Sequence, residues 1–370
     1  MTSLLRMEKY VDDCSAVFVQ KLREFGKTHE TLNMARWLQF YAFDVVGELT
    51  VGKRFGFLDE GKDVGGIISA IDTYLAYTAN VGVYSEWHPF ISSMMQKLSP
   101  RQGRGSMVEF TQAQIDKRKE DETSPHELDG TGDFLSIYLA LHKKDPSSFT
   151  DQDLFAGCIT NIGAGSDTTS ISLSSVLYNL CKHPEALQKL REELEQKQAN
   201  GELSNPVTFK ESQACPYLQA VIKEALRVHP ATGFPLGRVV PKGGATIAGT
   251  FFPEGAIVGI NTWVAHMNVS VFGHDAELFR PERWLTDKDN YNRMDRYFFT
   301  FGMGSRTCIG KNISLMEVGK VIPTLVQEFD FELVNPDADL KTRNVWFVKQ
   351  QSFFCKVSER HSNSQTTAEK

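Results

Sequence analysis

The chain has 370 residues, 41% hydrophobic and 23% charged, enough for a sizeable core in one large domain or two ordinary ones. Its formal net charge of −6 gives no support to nucleic-acid binding. It holds no run of about eighteen apolar residues and opens without a signal-type apolar core, and its six scattered cysteines, with no C-x-x-C pair, indicate neither a zinc ribbon nor a disulfide framework.

Apolar residues at helical spacing predict a first helix over 3–25, through Leu4, Val11, Phe18 and Leu22. A second is predicted over 32–52, ended by Gly52 and Gly56. Residues 64–98 continue helical, with a break at Pro89, and the polar stretch 100–132 predicts a short surface helix between flexible loops. Thr150 and Asp153 have capping-box spacing, so a long helix should follow to about Leu180, stopped by His183-Pro184. Its centre, Gly163 to Ser170 (GAGSDTTS), sets two glycines and an unbroken polar run between apolar flanks. Each glycine costs about 1 kcal/mol against alanine, and Ser and Thr compete for backbone hydrogen bonds. The segment is therefore either a loop dividing two helices or a helix whose local sequence serves function. In the functional reading the glycines, Gly165 among them, admit a flat ligand. Thr168 opens a kink by bonding backward, and Asp167 supplies a carboxylate for a proton relay.

Pro184 starts a solvated amphipathic helix, and another is predicted from about Pro216 to Val228. There Glu224 and Arg227, three apart, share a face among Ala220, Val221, Ile222, Ala225 and Leu226. A partly buried pair of this kind needs further partners. After Pro230 the pattern changes: 245–249 and 256–260 flank Pro253-Glu254-Gly255 as a predicted hairpin. A last helix spans about 311–328 and contains Pro323; 344–357 read as closing strands, and the polar tail 359–370 as disordered.

Between the hairpin and the last helix lies Phe301-Gly302-Met303-Gly304-Ser305-Arg306-Thr307-Cys308-Ile309-Gly310. Three glycines frame one cysteine where a tight loop feeds a helix N-terminus. Free backbone N–H groups, the helix dipole and Arg306 all favour a thiolate there. A lone cysteine is ordinarily a small buried hydrophobe; this spacing suits instead a nucleophile or one axial ligand to a haem iron.

Four motifs stand in one order: Ala164 to Thr169, Glu224-Ala225-Leu226-Arg227, Pro281-Glu282-Arg283-Trp284, and Phe301 to Gly310. Together they resemble the cytochrome P-450 superfamily of haem-thiolate monooxygenases. Trp37 to Glu48 (WLQFYAFDVVGE) with Gly52 to Leu58 (GKRFGFL) is similar to filamentous-fungal members of the pisatin demethylase type. The resemblance implies a mainly α fold with small β-sheets, as a single domain over 1–358. It implies haem b, with Cys308 as the axial ligand of the iron and the only metal-binding residue. Phe301, Gly302 and Gly310 would shape the loop around that ligand, and Arg306 and Arg238 would pair with the haem propionates. Gly165, Asp167 and Thr168 would stand on the distal side, the last two delivering protons. Glu224, Arg227 and Arg283 would form a buried structural triad. Residues near 157–165, 231–236 and 349–353 would line the substrate pocket.

The implied activity is insertion of one oxygen atom from O₂ into an apolar small molecule, in fungal secondary metabolism or xenobiotic oxidation. Electrons would come from NADPH through a cytochrome P-450 reductase partner. The family's place is the cytosolic face of the endoplasmic reticulum membrane; a chain without an anchor would be cytoplasmic. Ahead of the position of Met1, family members carry a membrane anchor, a first sheet, and a helix whose Trp and Arg contact haem. The expectation is thus a P-450 fold lacking its N-terminal part. It brings a second reading, a non-catalytic remnant with weak or no haem binding. A third, haem-thiolate isomerase or dehydratase chemistry without O₂, is opposed by Asp167 and Thr168, since such chemistry needs no proton relay.

Overall fold

The computed structural model describes residues 4–98, 104–120 and 132–360. In chain order its helices are α1 (Glu8–Thr28), α2 (Met34–Val51), α3 (Phe57–Glu60), α4 (Ile67–Val81), α5 (His88–Leu98), α6 (Arg104–Glu120) and α7 (Phe134–Lys144). Next come α8 (Asp151–Lys182), α9 (Pro184–Ala199), α10 (Phe209–Gln213), α11 (Pro216–Val228), α12 (Thr262–His266), α13 (Val269–Phe272), α14 (Lys288–Asp295) and α15 (Lys311–Glu328). The strands are β1 (Leu32–Asn33), β2 (Arg238–Val239), β3 (Ala245–Ile247), β4 (Thr250–Phe252), β5 (Ile257–Val258), β6 (Phe329–Leu333), β7 (Thr342–Val345), β8 (Phe347–Gln350) and β9 (Phe354–Glu359). They pair antiparallel, as β1-β9-β6, β2-β5, β3-β4 and β7-β8. The architecture is mainly α with small sheets, as the motifs implied.

The long helix α8 runs through the middle, packed along α2 and touching α7, α11, α15 and β8. Thr150 caps it: its Oγ1 accepts from Asp153 N–H (3.2 Å) and Asp153 Oδ2 accepts from Thr150 N–H (2.9 Å), the predicted capping box. The polar centre does not break it. Ser166, Thr168 and Ser172 donate their hydroxyls back to the carbonyls of Ile162, Ala164 and Thr168, and Ser170 donates to Asp167. Each hydroxyl is satisfied within the helix, which is how a Ser/Thr run stays helical in a buried place. Gly165 has a packing reason of its own. A Cβ there would lie 2.9 Å from Val46 Cγ2, so its bare Cα lets α2 approach. This contact accounts for the glycine by packing, beside the expectation of a flat ligand there.

Two further expectations are corrected. Ala248 (φ 49°) and Gly249 (φ 81°) close a two-residue turn, so β3 pairs with β4 before Pro253 is reached. The segment after Pro253-Glu254-Gly255 becomes β5 and pairs with β2, Arg238 opposite Val258, so the predicted hairpin of 245–249 with 256–260 is absent. The predicted tail begins too early: Glu359 ends β9, and Arg360 donates its N–H to Glu328 and pairs with Glu195 (2.7 Å). Residues 361–370 lie outside the described residues, as do the loops expected on either side of the surface helix, here α6.

Candidate active site

The glycine-framed loop is closed by its own backbone. Cys308 N–H donates to Phe301 O (2.8 Å), Gly302 N–H to Phe299 O (2.8 Å), and Thr307 Oγ1 to Gly304 O (2.9 Å). Gly302 (φ 68°) and Gly304 (φ 70°) occupy the left-handed region, where a side chain would strain the turn. Helix α15 begins three residues after the cysteine, with Gly310 as N-cap, so the sulfur stands at a helix N-terminus. Cys308 is exposed, whereas Cys14, Cys158, Cys215 and Cys355 are buried. Burial pushes the thiols of Cys215 and Cys158 up to about 11 and about 12, which keeps them protonated and inert. Phe301 is half-buried beside the loop, with Lys311 Nζ 5.6 Å from its ring centre.

Behind the loop lies a buried charge cluster. Arg227 clasps Glu224 with two hydrogen bonds (Nε to Oε2, 2.8 Å; Nη2 to Oε1, 2.7 Å), both side chains fully buried. Arg283 Nε adds a third contact at 3.2 Å, and Trp284 Nε1 and Arg280 N–H also donate to the carboxylate. The remaining guanidinium protons of Arg227 reach the carbonyls of His266, Ala276 and Leu278. Those of Arg283 reach Phe272 O, Asp275 O and the Asp275 carboxylate, which this arginine holds down at about 2. The pair from one helix thus gains every partner that burial demands.

His266 was not singled out from sequence. It is fully buried, and both ring nitrogens are used: Nδ1 faces Arg227 O at 2.9 Å and Nε2 faces Phe299 N–H at 2.8 Å. A carbonyl on one side and an N–H on the other fix the neutral tautomer with the proton on Nδ1. Burial lowers its pKa to about 4, in keeping with that form. Thr300 Oγ1 donates to Leu226 O, so two successive residues ahead of Phe301 are tied to α11 or its cluster.

Across the molecule, Thr168 is half-buried on α8, its Oγ1 bonded back to Ala164 O at 2.7 Å. The next residue, Thr169, meets Ser314 of α15 (3.1 Å), joining this part of α8 to the helix that Cys308 opens. Asp167 is fully buried, held by Gln39 Nε2 (2.6 Å) and paired with Lys349 Nζ (2.7 Å). Lys349, expected as pocket wall, spends its charge on this pair and on Asp72 (2.5 Å). Arg306 and Arg238 are exposed, and neither joins an ion pair among the described residues; Arg238 donates to the carbonyls of Leu236 and Gly237.

The donor set fits an iron porphyrin. A single exposed cysteine sulfur, a soft donor, on a loop closed by its own backbone suits iron. Two cations free of protein carboxylates suit two propionates. The half-buried ring of Phe301 offers an apolar neighbour beside the thiol.

The family model described as Cytochrome P450 matches residues 1–354. A pisatin demethylase of Fusarium vanettenii is 42% identical over 95% of this chain and 67% of its own length. A cytochrome P450 monooxygenase of Aspergillus terreus is 40% identical over 89% of this chain and 68% of its own. The cytochrome P450 monooxygenase ACRTS1 of Alternaria alternata is 34% identical over 97% and 96%.

Proposed function

The chain belongs to the cytochrome P450 family of haem-thiolate monooxygenases, and from that premise we propose the roles of its residues and the class of its substrate. Cys308 would hold the haem iron: a loop closed by its own backbone presents one exposed cysteine, and that observation carries the reading. Arg306 and Arg238 would hold the haem's propionates, with Phe301, Gly302 and Gly310 shaping the surroundings of Cys308. When bound, haem supplies the O₂ activation that no side chain of this chain performs.

Asp167 and Thr168 handle protons on the opposite face. The Thr168 hydroxyl donates to Ala164 O and keeps its lone pairs to accept a hydrogen bond from water; relaying its own proton requires it to turn away from that carbonyl. Asp167, the preceding residue, is paired with Lys349 and supplies the carboxylate of the relay. Glu224, Arg227, Arg283 and His266 do no chemistry; they hold the segment that carries Phe301 and so the sulfur's position.

The substrate is an apolar small molecule oxidised in fungal secondary metabolism or xenobiotic oxidation. Electrons come from NADPH through a reductase on the cytosolic face of the endoplasmic reticulum. No helix among the described residues is long and apolar enough to cross a membrane. Because relatives 41–42% identical are named pisatin demethylases, pisatin is the first substrate to try. The test is reconstitution with haem, reductase and NADPH under isotopically heavy O₂. Substrate-dependent NADPH oxidation with one heavy oxygen atom in the organic product is expected. Absence of bound haem would return the chain to the non-catalytic reading, and turnover without O₂ would make it an isomerase.

A further inference from the structure

The C-terminal end of α11 is a junction. The last carbonyls of an α-helix have no partner within it, and here other elements take them up. Leu226 O accepts from Thr300 Oγ1 (2.9 Å), one residue ahead of Phe301, and Arg227 O faces His266 Nδ1 of α12 (2.9 Å). Ala225 O accepts from Ser175 Oγ of α8 (2.9 Å) besides the N–H of His229. His229, the C-cap residue, adds a further tie through its own side chain: its Nε2 lies 2.8 Å from Val348 O of β8. A carbonyl only accepts, so that nitrogen carries the proton. The ring is buried, and Trp263 stands edge-on to it at 5.0 Å while donating its Nε1–H to Pro230 O (3.0 Å). Val348 N–H donates in turn to Ala231 O (2.9 Å), and Gly233 N–H to Trp346 O (2.9 Å), so the β7–β8 hairpin is laid onto the chain that leaves α11. Gln350 Nε2, donating to Ile171 O (3.1 Å), ties the hairpin to α8.

We propose that His229 is a positioning residue for the reaction: through Val348 O it fixes the β7–β8 hairpin to the helix end that also anchors Thr300, and so sets how far the substrate wall stands from the Cys308 sulfur. The proposal rests on the reading of 231–236 and 349–353 as pocket wall and of Cys308 as iron ligand. One helix end then serves both sides. Thr300 and His266 hold the segment that leads to the sulfur, and His229 holds the wall on which the substrate rests. A displacement of about 1 Å in substrate placement can cost about 100-fold in rate, so one hydrogen bond at this junction is enough to matter. A histidine that merely filled the core would be replaceable by a ring of the same size; a positioning histidine is not, because its N–H is what grips the strand.

The test compares the haem-loaded wild type with His229→Phe, which keeps a ring against Trp263 but loses the donor, and with His229→Gln, which returns an N–H. The probes are imidazole, small enough to reach the iron without resting on the wall, and 4-phenylimidazole, whose phenyl ring must rest on it; both are read from the Soret shift on binding. His229→Phe is expected to weaken 4-phenylimidazole about tenfold and to leave imidazole within about twofold, the size of one lost hydrogen bond. His229→Gln should restore wild-type binding, and all three proteins should keep the thiolate band with carbon monoxide. Amide hydrogen exchange gives a readout free of haem and turnover. Val348 and Gly233 should exchange several-fold faster in His229→Phe while Phe299 is unchanged, and Thr300→Val should do the reverse. Should His229→Phe fail to fold, Trp263→Phe, which frees Pro230 O beside His229, should loosen the same two amides.

Wild-type 4-phenylimidazole binding and wild-type exchange at Val348 in His229→Phe would overturn the proposal. So would a His229→Gln protein as impaired as His229→Phe, or a loss of imidazole and 4-phenylimidazole binding together. A wild type without the thiolate band would instead overturn the haem-thiolate reading, and the exchange rates would still decide whether His229 holds the hairpin.

Discussion

The charge cluster around Glu224 and the loop around Cys308 are joined through Phe299 and Thr300, yet they solve opposite problems. In the cluster Glu224, Arg227 and Arg283 are out of water, and the Glu224 carboxylate finds its partners in two arginines, a tryptophan and a backbone N–H while Arg227 adds backbone carbonyls. In the loop the backbone is satisfied but the reactive groups are not enclosed; Cys308 and Arg306 are exposed. The first region fixes a position, and the second presents chemistry at it. The price of holding a sulfur rigidly in the open is thus met one layer below, by ions whose burial is costly unless complete.

If this division holds, stability and ligation should separate under mutation. Arg227→Met leaves Glu224 buried without its bidentate partner and should cost about 3–5 kcal/mol in denaturant unfolding. Glu224→Leu/Arg227→Met removes both charges and should cost less than Arg227→Met alone. A double variant as costly as the single would break the comparison, because the cluster's worth would then lie in the charges themselves.

His266 joins the two regions and gives the next effect, a pH dependence. Its folded pKa of about 4 lies below the ordinary 6.5, so the unfolded chain binds a proton there that the folded chain refuses. Stability should therefore fall as pH drops through 6.5 toward 4, by up to roughly 3 kcal/mol from this group. His229, lowered by burial to about 4 as well, adds a like slope. His266→Asn should remove about half of this combined slope in unfolding experiments, by the same linkage. At pH 7 it should loosen the loop, seen as faster amide exchange at Phe299.

Glu317 sharpens the comparison from the other side. This acid of α15 is buried, its Oε2 has no hydrogen-bond partner among the described residues, and burial raises its pKa. Its sign is opposite: stability is lost as pH rises above the ordinary 4.5, and Glu317→Gln should flatten that limb and be the more stable form at pH 7. Arg306→Gln, on the exposed loop, should change unfolding by no more than about 0.5 kcal/mol while weakening haem retention.

What could be read from sequence was local. The glycine-framed cysteine, the Thr150 capping box and the three-residue spacing of Glu224 and Arg227 each lie within a turn or two of chain. The hydroxyl-to-carbonyl bonds of Ser166 to Ser172 are local too, but the sequence left that segment open as loop or helix, with Thr168's backward bond expected to open a kink. What could not be read was long-range partnership: Gln39 reaching Asp167 from 128 residues away, or Lys349 reaching it from β8. His266 carried only a weak signal, a histidine in a short apolar segment with no motif around it. Gly165 was legible as an anomaly, but its packing reason was not, because its neighbour Val46 lies on another helix. The hairpin after Pro230 failed for a local reason, a two-residue turn at Ala248-Gly249 outranked by a more conspicuous Pro-Glu-Gly.

On the proposed reading, Cys308 sulfur holds the haem iron on a loop anchored by the buried cluster behind it. The most direct measurement is the carbon monoxide difference spectrum of the reduced, haem-loaded protein, taken for the wild type and Cys308→Ala beside their unfolding curves. The account predicts the red-shifted thiolate Soret band in the wild type and its loss in Cys308→Ala, with unfolding shifted by no more than about 0.5 kcal/mol. A Cys308→Ala protein that kept the band would contradict it.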